Sequence, residues 1–353
     1  MKPSRTRRRV LRAAGLAVLG GAAWEVQRRR DVAAVAGDPH WTELNEPLDG
    51  RGQEVPAADG TRLHAEVFGP EDAPTIVLAH GWVEALQLWH YQIRDLARDY
   101  RVVAYDQRGH GRSALPESAS SYTAEALAGD LQSVVEACVP PAAPFVVAGH
   151  SMGGMTIVAW AARHPEQVRR RLAAAVLVNT GMNEMLEHLL VLGPRGAHLH
   201  AAVLPRALLT PRRFSTRFEP FSYRIVRRIA LSPTTSPGRV AFSHRMFVAC
   251  PAPVRAGFGR LFQTLDLTAS VPALTAPALV IAGELDRLLP PWHSQHLRDT
   301  LPDVAGYVEL TGIAHMAPLE APEVVTAGIH EVAAAHLLAG RAVPARSLPL
   351  NVG

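Results

Sequence analysis

Three side chains at separated positions could together perform acyl chemistry: a serine between glycines, an aspartate and a histidine. The serine lies in Gly149-His150-Ser151-Met152-Gly153, a G-x-S-x-G pattern. A hydroxyl is a weak nucleophile and needs a base, itself oriented by an acid. A tight turn with small flanking residues would lift the Ser151 hydroxyl clear of the backbone. It would also aim the Met152 N–H and the start of a following helix at one spot, where positive partial charge favours an oxyanion. Asp286 in "GELDRLLPP" and His315 in "GIAHMAPLEAPE" supply an acid and a base, in the chain order Ser, Asp, His. A second oxyanion donor would come from His80-Gly81-Trp82. Glycine there lets the backbone approach closely, and the Trp82 N–H would sit beside that of Met152. His80, Gly81 and His150 are further candidates for substrate binding or loop support.

Such a constellation needs elements to position it. "TIVLAH" (75–80), "RVVAYD" (101–106), "FVVAGHS" (145–151), "AAVLVNT" (174–180) and "PALVIAG" (277–283) are apolar almost throughout, as strands buried on both faces should be. Between them lie helical patterns. Thr123 is an N-cap candidate, and Leu127, Leu131, Val134, Val135 and Cys138 share one helical face before Pro140-Pro141. "MGGMTIVAWAARHP" reads as a helix that stops before Pro165. Strands alternating with helices predict an α/β fold with a mostly parallel central sheet flanked by helices. In open sheets of this kind, reacting groups gather at the carboxyl ends of strands. Asp286 stands just past such an end, Ser151 and His80 are the last residues of two other strands, and His315 follows the strand-like "AGYVEL".

The alternation lapses between residues 181 and 266, which reads as an inserted helical cap. The core then comprises 56–180 and 267–338. Asp59-Gly60 signals a hairpin turn. Residues 37–55 carry no period and read as a linker, and 339–353 as a flexible tail. The cap's apolar runs "MLEHLLVLG" and "HLHAAVLPRALL" suit either an apolar substrate pocket or the cap's own core.

Composition narrows the classes. The chain has 353 residues, 48% hydrophobic and 19% charged, so it can bury a sizeable core. Its net charge is +4, but residues 1–30 alone hold +8 (nine Lys/Arg against Glu25), which leaves 4 − 8 = −4 for the rest. A mildly acidic body argues against nucleic acid as a partner. The basic arm, followed by a short apolar run from Ala13 to Trp24, favours export or attachment to a membrane surface. "TRRRVLR" resembles a twin-arginine export signal, and Ala34-Val35-Ala36 is the nearest small-x-small cleavage pattern. Cys138 and Cys250 are too few for a disulfide framework. No CxxC or HExxH spacing marks a metal site, and no cofactor is implied, because serine, histidine and aspartate supply their own base and electrostatics.

Together "AHGW", "YDQRGHGRS", "VVAGHSMGG", "IAGELDRLLP" and "GIAHMAPLEAPE" resemble the serine-type α/β-hydrolase superfamily, in its capped branch, over roughly residues 55–338. The basic arm joined to such a domain is similar to actinobacterial members. The resemblance implies Ser151 as nucleophile, His315 as base, Asp286 as acid, the Trp82 and Met152 amides as oxyanion hole, and a lid from 181–266. Asp106 to Ser113 resembles a family loop that orders the floor of the site, and we read it as bracing. Relatives that open epoxides or displace halide carry aspartate at the elbow, whereas serine suits acyl transfer. The expected activity is hydrolysis of an ester or related acyl small molecule through an acyl-enzyme. The same residues would serve cofactor-free perhydrolysis, C–C bond hydrolysis or thioester hydrolysis. Outside enzymes, the fold could carry a non-catalytic ligand-binding or membrane-surface protein.

Overall fold

A computed structural model describes residues 21, 24–185 and 220–337. The two apolar runs of the expected cap fall almost wholly in 186–219, and the expected tail in 338–353, both outside the described residues. So does the arm before residue 24, apart from residue 21.

Eight strands form one sheet: β1 (Arg51–Pro56), β2 (Arg62–Phe68), β3 (Thr75–Ala79), β4 (Arg101–Asp106), β5 (Phe145–His150), β6 (Leu172–Val178), β7 (Ala278–Gly283) and β8 (Val304–Leu310). Their order is β1-β2-β4-β3-β5-β6-β7-β8. The β1–β2 and β2–β4 pairs are antiparallel and the rest parallel. The helices are α1 (24–36), α2 (Pro39–Leu44), α3 (His90–Leu96), α4 (Ala124–Cys138), α5 (Met152–Arg163), α6 (Pro165–Arg171), α7 (Pro220–Ala230), α8 (Pro237–Ala249), α9 (Ala252–Leu261), α10 (Trp292–Thr300), α11 (Ala317–Glu320) and α12 (Pro322–Leu337). No described helix is long and apolar enough to cross a membrane.

The continuous apolar strands follow from covering both faces. In β3, Val77 and Ala79 join one core with residues of α4 and α5, while Ile76 and Leu78 join another with residues of α3 and α12. Successive side chains on a strand point to opposite faces, so a strand sandwiched between helix layers needs apolar residues at every position. Thr123 caps α4 as its side chain accepts the Ala126 N–H at 3.1 Å. At the hairpin, Gly60 takes φ +83°, a left-handed conformation that glycine adopts without penalty.

The stretch expected as a linker is a correction. It holds α2, with Leu44 buried, and most of β1. Asp38 explains much of this. One carboxylate oxygen caps α2 by accepting the His40 N–H at 2.9 Å, and the other accepts the Gly238 N–H of α8 at 2.8 Å. Arg245 of α8 stacks over Trp41, and Arg224 of α7 pairs with Asp31 of α1 at 2.7 Å. Polar residues that resembled a spacer are thus anchored to helices two hundred residues away. Those helices, α7 to α9, lie between β6 and β7.

Candidate active site

The site starts from a backbone bend. Ser151 sits between the end of β5 and the first turn of α5 with φ 51° and ψ −116°. A side-chain-bearing residue adopts such a conformation only where its surroundings over-determine it. Here they do. The Ser151 N–H donates to the Val178 carbonyl at 3.0 Å, and its carbonyl accepts the Thr180 hydroxyl at 2.7 Å. The flanking glycines are required by close approach. A Cβ on Gly153 would lie 2.1 Å from the Ala79 carbonyl oxygen, and one on Gly149 would lie 2.5 Å from the Gly153 carbonyl carbon. As the first residue of α5, Met152 has an N–H that no intrahelical acceptor satisfies.

Asp286 and His315 meet although 29 residues separate them. His315 Nδ1 lies 2.7 Å from Asp286 Oδ2, and both residues are buried. Asp286 follows β7 in a tight turn in which its Oδ1 accepts the Leu288 and Leu289 N–H groups, each at 2.9 Å. Asn179, at the end of β6, donates to Oδ2 at 2.9 Å and to the Ala314 carbonyl at 3.2 Å. Every donor around this carboxylate holds it in one orientation. With Nδ1–H committed to the carboxylate, His315 keeps Nε2 free as an acceptor. Ser151 and His315 line the same cavity. Among the described residues no hydrogen bond joins the two, and nucleophile–base pairs in hydrolytic sites often tighten only on substrate binding.

The loop after β3 passes over this point. Gly81 N–H donates to Glu84 Oε2, and Val83 N–H donates to His110 Nε2 at 3.2 Å. The Trp82 amide is therefore held between two anchored neighbours. Val83 has φ 58°, an unusual value for a β-branched residue. Three of the five described non-glycine residues with positive φ (Val83, Ser151 and Asn179) belong to this site.

His80, Gly81 and His150 do not line the cavity. They brace it. His80 is fully buried: its Nε2 accepts the Gln107 N–H at 2.9 Å, and Nδ1 donates to the Gly81 carbonyl at 2.7 Å. Burial pushes its pKa down, in keeping with a neutral ring. The 106–113 loop braces as expected. Asp106 accepts the Leu86 and Arg112 N–H groups, each at 2.8 Å, and Arg108 grips buried Asp130 through two bonds of 2.6 Å.

Two residues escaped sequence reasoning. Asn179 is one. Glu84 is the other: it lines the cavity, yet its Oε2 faces Gly81 N–H and His150 Nδ1, the latter at 3.1 Å. His150 Nε2 in turn lies 2.8 Å from the His315 carbonyl. Burial disfavours both charges, but the attraction between them outweighs it. The Glu84 carboxyl is held below its ordinary range and the His150 ring above its own.

The cavity has a volume of about 130 Å³. Trp82, Met155, Ile225, Val226, Phe247, Phe262 and Leu289 give it apolar walls, and Glu84, Ser151, Ser243 and His315 are its polar members. The inserted helices are bonded to the loop that carries His315. Its N–H donates to the Ala230 carbonyl at 3.1 Å. Glu320 accepts the Met316 N–H through Oε1, and the Ser232 N–H and Thr235 hydroxyl through Oε2, at 3.2, 2.7 and 2.6 Å. No group of histidine, cysteine and carboxylate side chains suited to a metal ion occurs among the described residues.

Known proteins match this architecture. The family model described as alpha/beta hydrolase fold matches residues 74–322. "Putative carbamate hydrolase RutD" of Variovorax paradoxus is 32% identical over 243 residues, covering 69% of this chain and 85% of that protein. "Epoxide hydrolase 1" of Caenorhabditis elegans is 32% identical over 115 residues, which is 33% of this chain and only 28% of that protein. Among solved structures, an esterase of Thermogutta terrifontis superposes with a TM-score of 0.63 at 24% identity, over 80% of this chain and 97% of its own. The elbow at Ser151, the eight-stranded sheet and these matches agree, and the chain belongs to the α/β-hydrolase family.

Proposed function

We propose that the protein is a serine hydrolase that cleaves esters or closely related acyl compounds carrying an uncharged, apolar group. The observation that carries this reading is the Asp286–His315 pair, its carboxylate held by three further donors, sharing one apolar cavity with a serine on a strained elbow. His315 Nε2 takes the Ser151 proton as Oγ attacks the substrate carbonyl. The Met152 and Trp82 amides stabilise the tetrahedral oxyanion. Collapse expels the alcohol, protonated by His315, and leaves an acyl-enzyme. Water, deprotonated by the same ring, then releases the acid and restores Ser151. Asp286 holds the ring tautomer and offsets the charge of the imidazolium.

Among the described residues the one charged group in the lining, Glu84, is engaged with His150, so a charged acyl group would be desolvated against apolar walls with little compensation. The volume is close to that of an apolar cavity that takes up a benzene-sized guest. This favours small aromatic or short aliphatic acyl groups, with the inserted helices as a cap over them. Serine at position 151 sets the chain apart from an epoxide-opening carboxylate mechanism.

The test is a fluorophosphonate probe together with a series of p-nitrophenyl esters, on wild type and Ser151→Ala. Labelling and hydrolysis of short, apolar esters are expected in wild type and lost in the variant. An unlabelled wild type, or hydrolysis that survives Ser151→Ala, refutes the reading. Per-acid formation with added peroxide, and hydrolysis of a thioester or a diketone, would separate the other reactions open to the same residues.

A further inference from the structure

The three segments that the proposed reaction needs are joined by one buried pair of side chains, of which Glu84 reaches the cavity wall. Glu84 Oε2 accepts the N–H of Gly81, which immediately precedes the Trp82 amide. The same oxygen faces His150 Nδ1 at 3.1 Å, and His150 immediately precedes Ser151. His150 Nε2 faces the carbonyl of His315 at 2.8 Å. The contacts span 66 and 165 residues of sequence. Both ring nitrogens of His150 face acceptors, a carboxylate and a carbonyl, so a ring that satisfies both donates from both and is an imidazolium. It is fully buried, with its ring centroid 4.9 Å from that of His315.

A contribution to stability does not account for this pair. Replacing a buried ion pair with apolar groups of similar volume is often neutral or stabilising, whereas removing one partner is costly. What an apolar pair could not do is partner the Gly81 N–H and the His315 carbonyl. Those two backbone groups flank the oxyanion loop and carry the base. The distribution of contacts is therefore that of a spacer between segments rather than of a core filler.

We propose that Glu84 and His150 are positioning residues, a single buried unit that sets the mutual spacing of the Trp82 amide, Ser151 and His315. This rests on the serine-hydrolase reading of the same site. Neither side chain touches the reacting atoms. Their effect is transmitted through the backbone of the residues next to them. A misplacement of about 1 Å originating away from the chemistry can cost on the order of 10²-fold in rate.

The test measures kcat and KM for a p-nitrophenyl ester, the fluorophosphonate labelling rate, and thermal stability. It compares wild type, Glu84→Gln, His150→Gln and the double variant. Each single substitution is expected to lower kcat about 10²-fold with little change in KM, since the interactions lost matter in the transition state. The double variant should lose no more than the worse single, because both break one unit. Each single leaves an uncompensated buried charge and is expected to lose stability, but the double is neutral and should regain it without regaining kcat. That split keeps the rate effect readable even if a single variant fails to fold. A folded variant within threefold of wild-type kcat, losses confined to KM, or single effects that multiply in the double would overturn the proposal. A wild type that neither hydrolyses nor labels overturns the serine-hydrolase reading, and the positioning role with it; an active wild type with unaffected variants overturns the positioning role alone.

Discussion

Asp286→Asn exchanges one carboxylate oxygen for an NH₂ group and should nearly abolish turnover. The carboxylate has four donors, and they fix how an asparagine must sit. Oδ1 accepts two backbone N–H groups, so the amide oxygen is confined to that position. The new NH₂ then occupies the Oδ2 position, facing His315 Nδ1 and the Asn179 amide nitrogen. Opposite a donor, His315 Nδ1 must become an acceptor. The ring proton moves to Nε2, the nitrogen that receives the Ser151 proton in the proposed mechanism. Asn179 could invert its amide to meet the new NH₂, since its Oδ1 is buried without a partner, but it would give up its bond to the Ala314 carbonyl. The corresponding loss in a serine protease is about 10⁴-fold in kcat, equivalent to about 5 kcal/mol of transition-state stabilisation. The folding cost is smaller, about 1–3 kcal/mol for the mismatched buried donors. Steady-state ester hydrolysis gives the first quantity and urea denaturation the second. A folded Asp286→Asn enzyme retaining more than a tenth of wild-type kcat would refute the tautomer argument.

Two further predictions concern stability. Gly153→Ala would drive a methyl group to 2.1 Å from the Ala79 carbonyl and 2.9 Å from that of His80, both backbone atoms. A destabilisation of at least about 1–3 kcal/mol is expected by urea denaturation, with loss of activity as β3 and α5 part; a change under about 0.5 kcal/mol would mean that the elbow is looser than described. His244 in α8 is held neutral by burial, with its pKa lowered to about 4, and His110 likewise to about 3. A depressed histidine stabilises the fold above its unfolded value of about 6.5 and loses that contribution as pH falls toward the folded value. Unfolding free energy should therefore decline between about pH 6.5 and pH 4, and a flat profile over that window would contradict it.

Much of the site was readable because its parts announce themselves locally. Ser151 is marked by an apolar strand that ends abruptly in glycines, Asp286 by its place three residues past another strand, and His315 by chain order. Glu84 and Asn179 carry no such mark. A single glutamate or asparagine after a strand looks like loop polarity until the fold brings His150 or Asp286 to it. The misread stretch 37–55 fails for the same reason. Pro39 to Leu44 form only six residues of helix with Asp38 as cap, and what orders them is α8, remote in sequence. Local pattern reports on local hydrogen bonding and burial period, whereas contacts between distant polar side chains are created by topology.

The junction at Glu320 bears on how such an enzyme could be rebuilt. One carboxylate is shared between the residue after His315 and the turn after α7, and the His315 amide itself is bonded to the last residue of that helix. Exchanging the inserted helices for those of another protein would not be the substitution of a detachable module. The graft would have to carry its own partner for the histidine loop, or the loop would lose its alignment while the new binding surface was gained. Changes of specificity in this scaffold should therefore be sought on the cavity-facing side of α7, at positions such as Ile225 and Ile229, leaving its C-terminal splice intact.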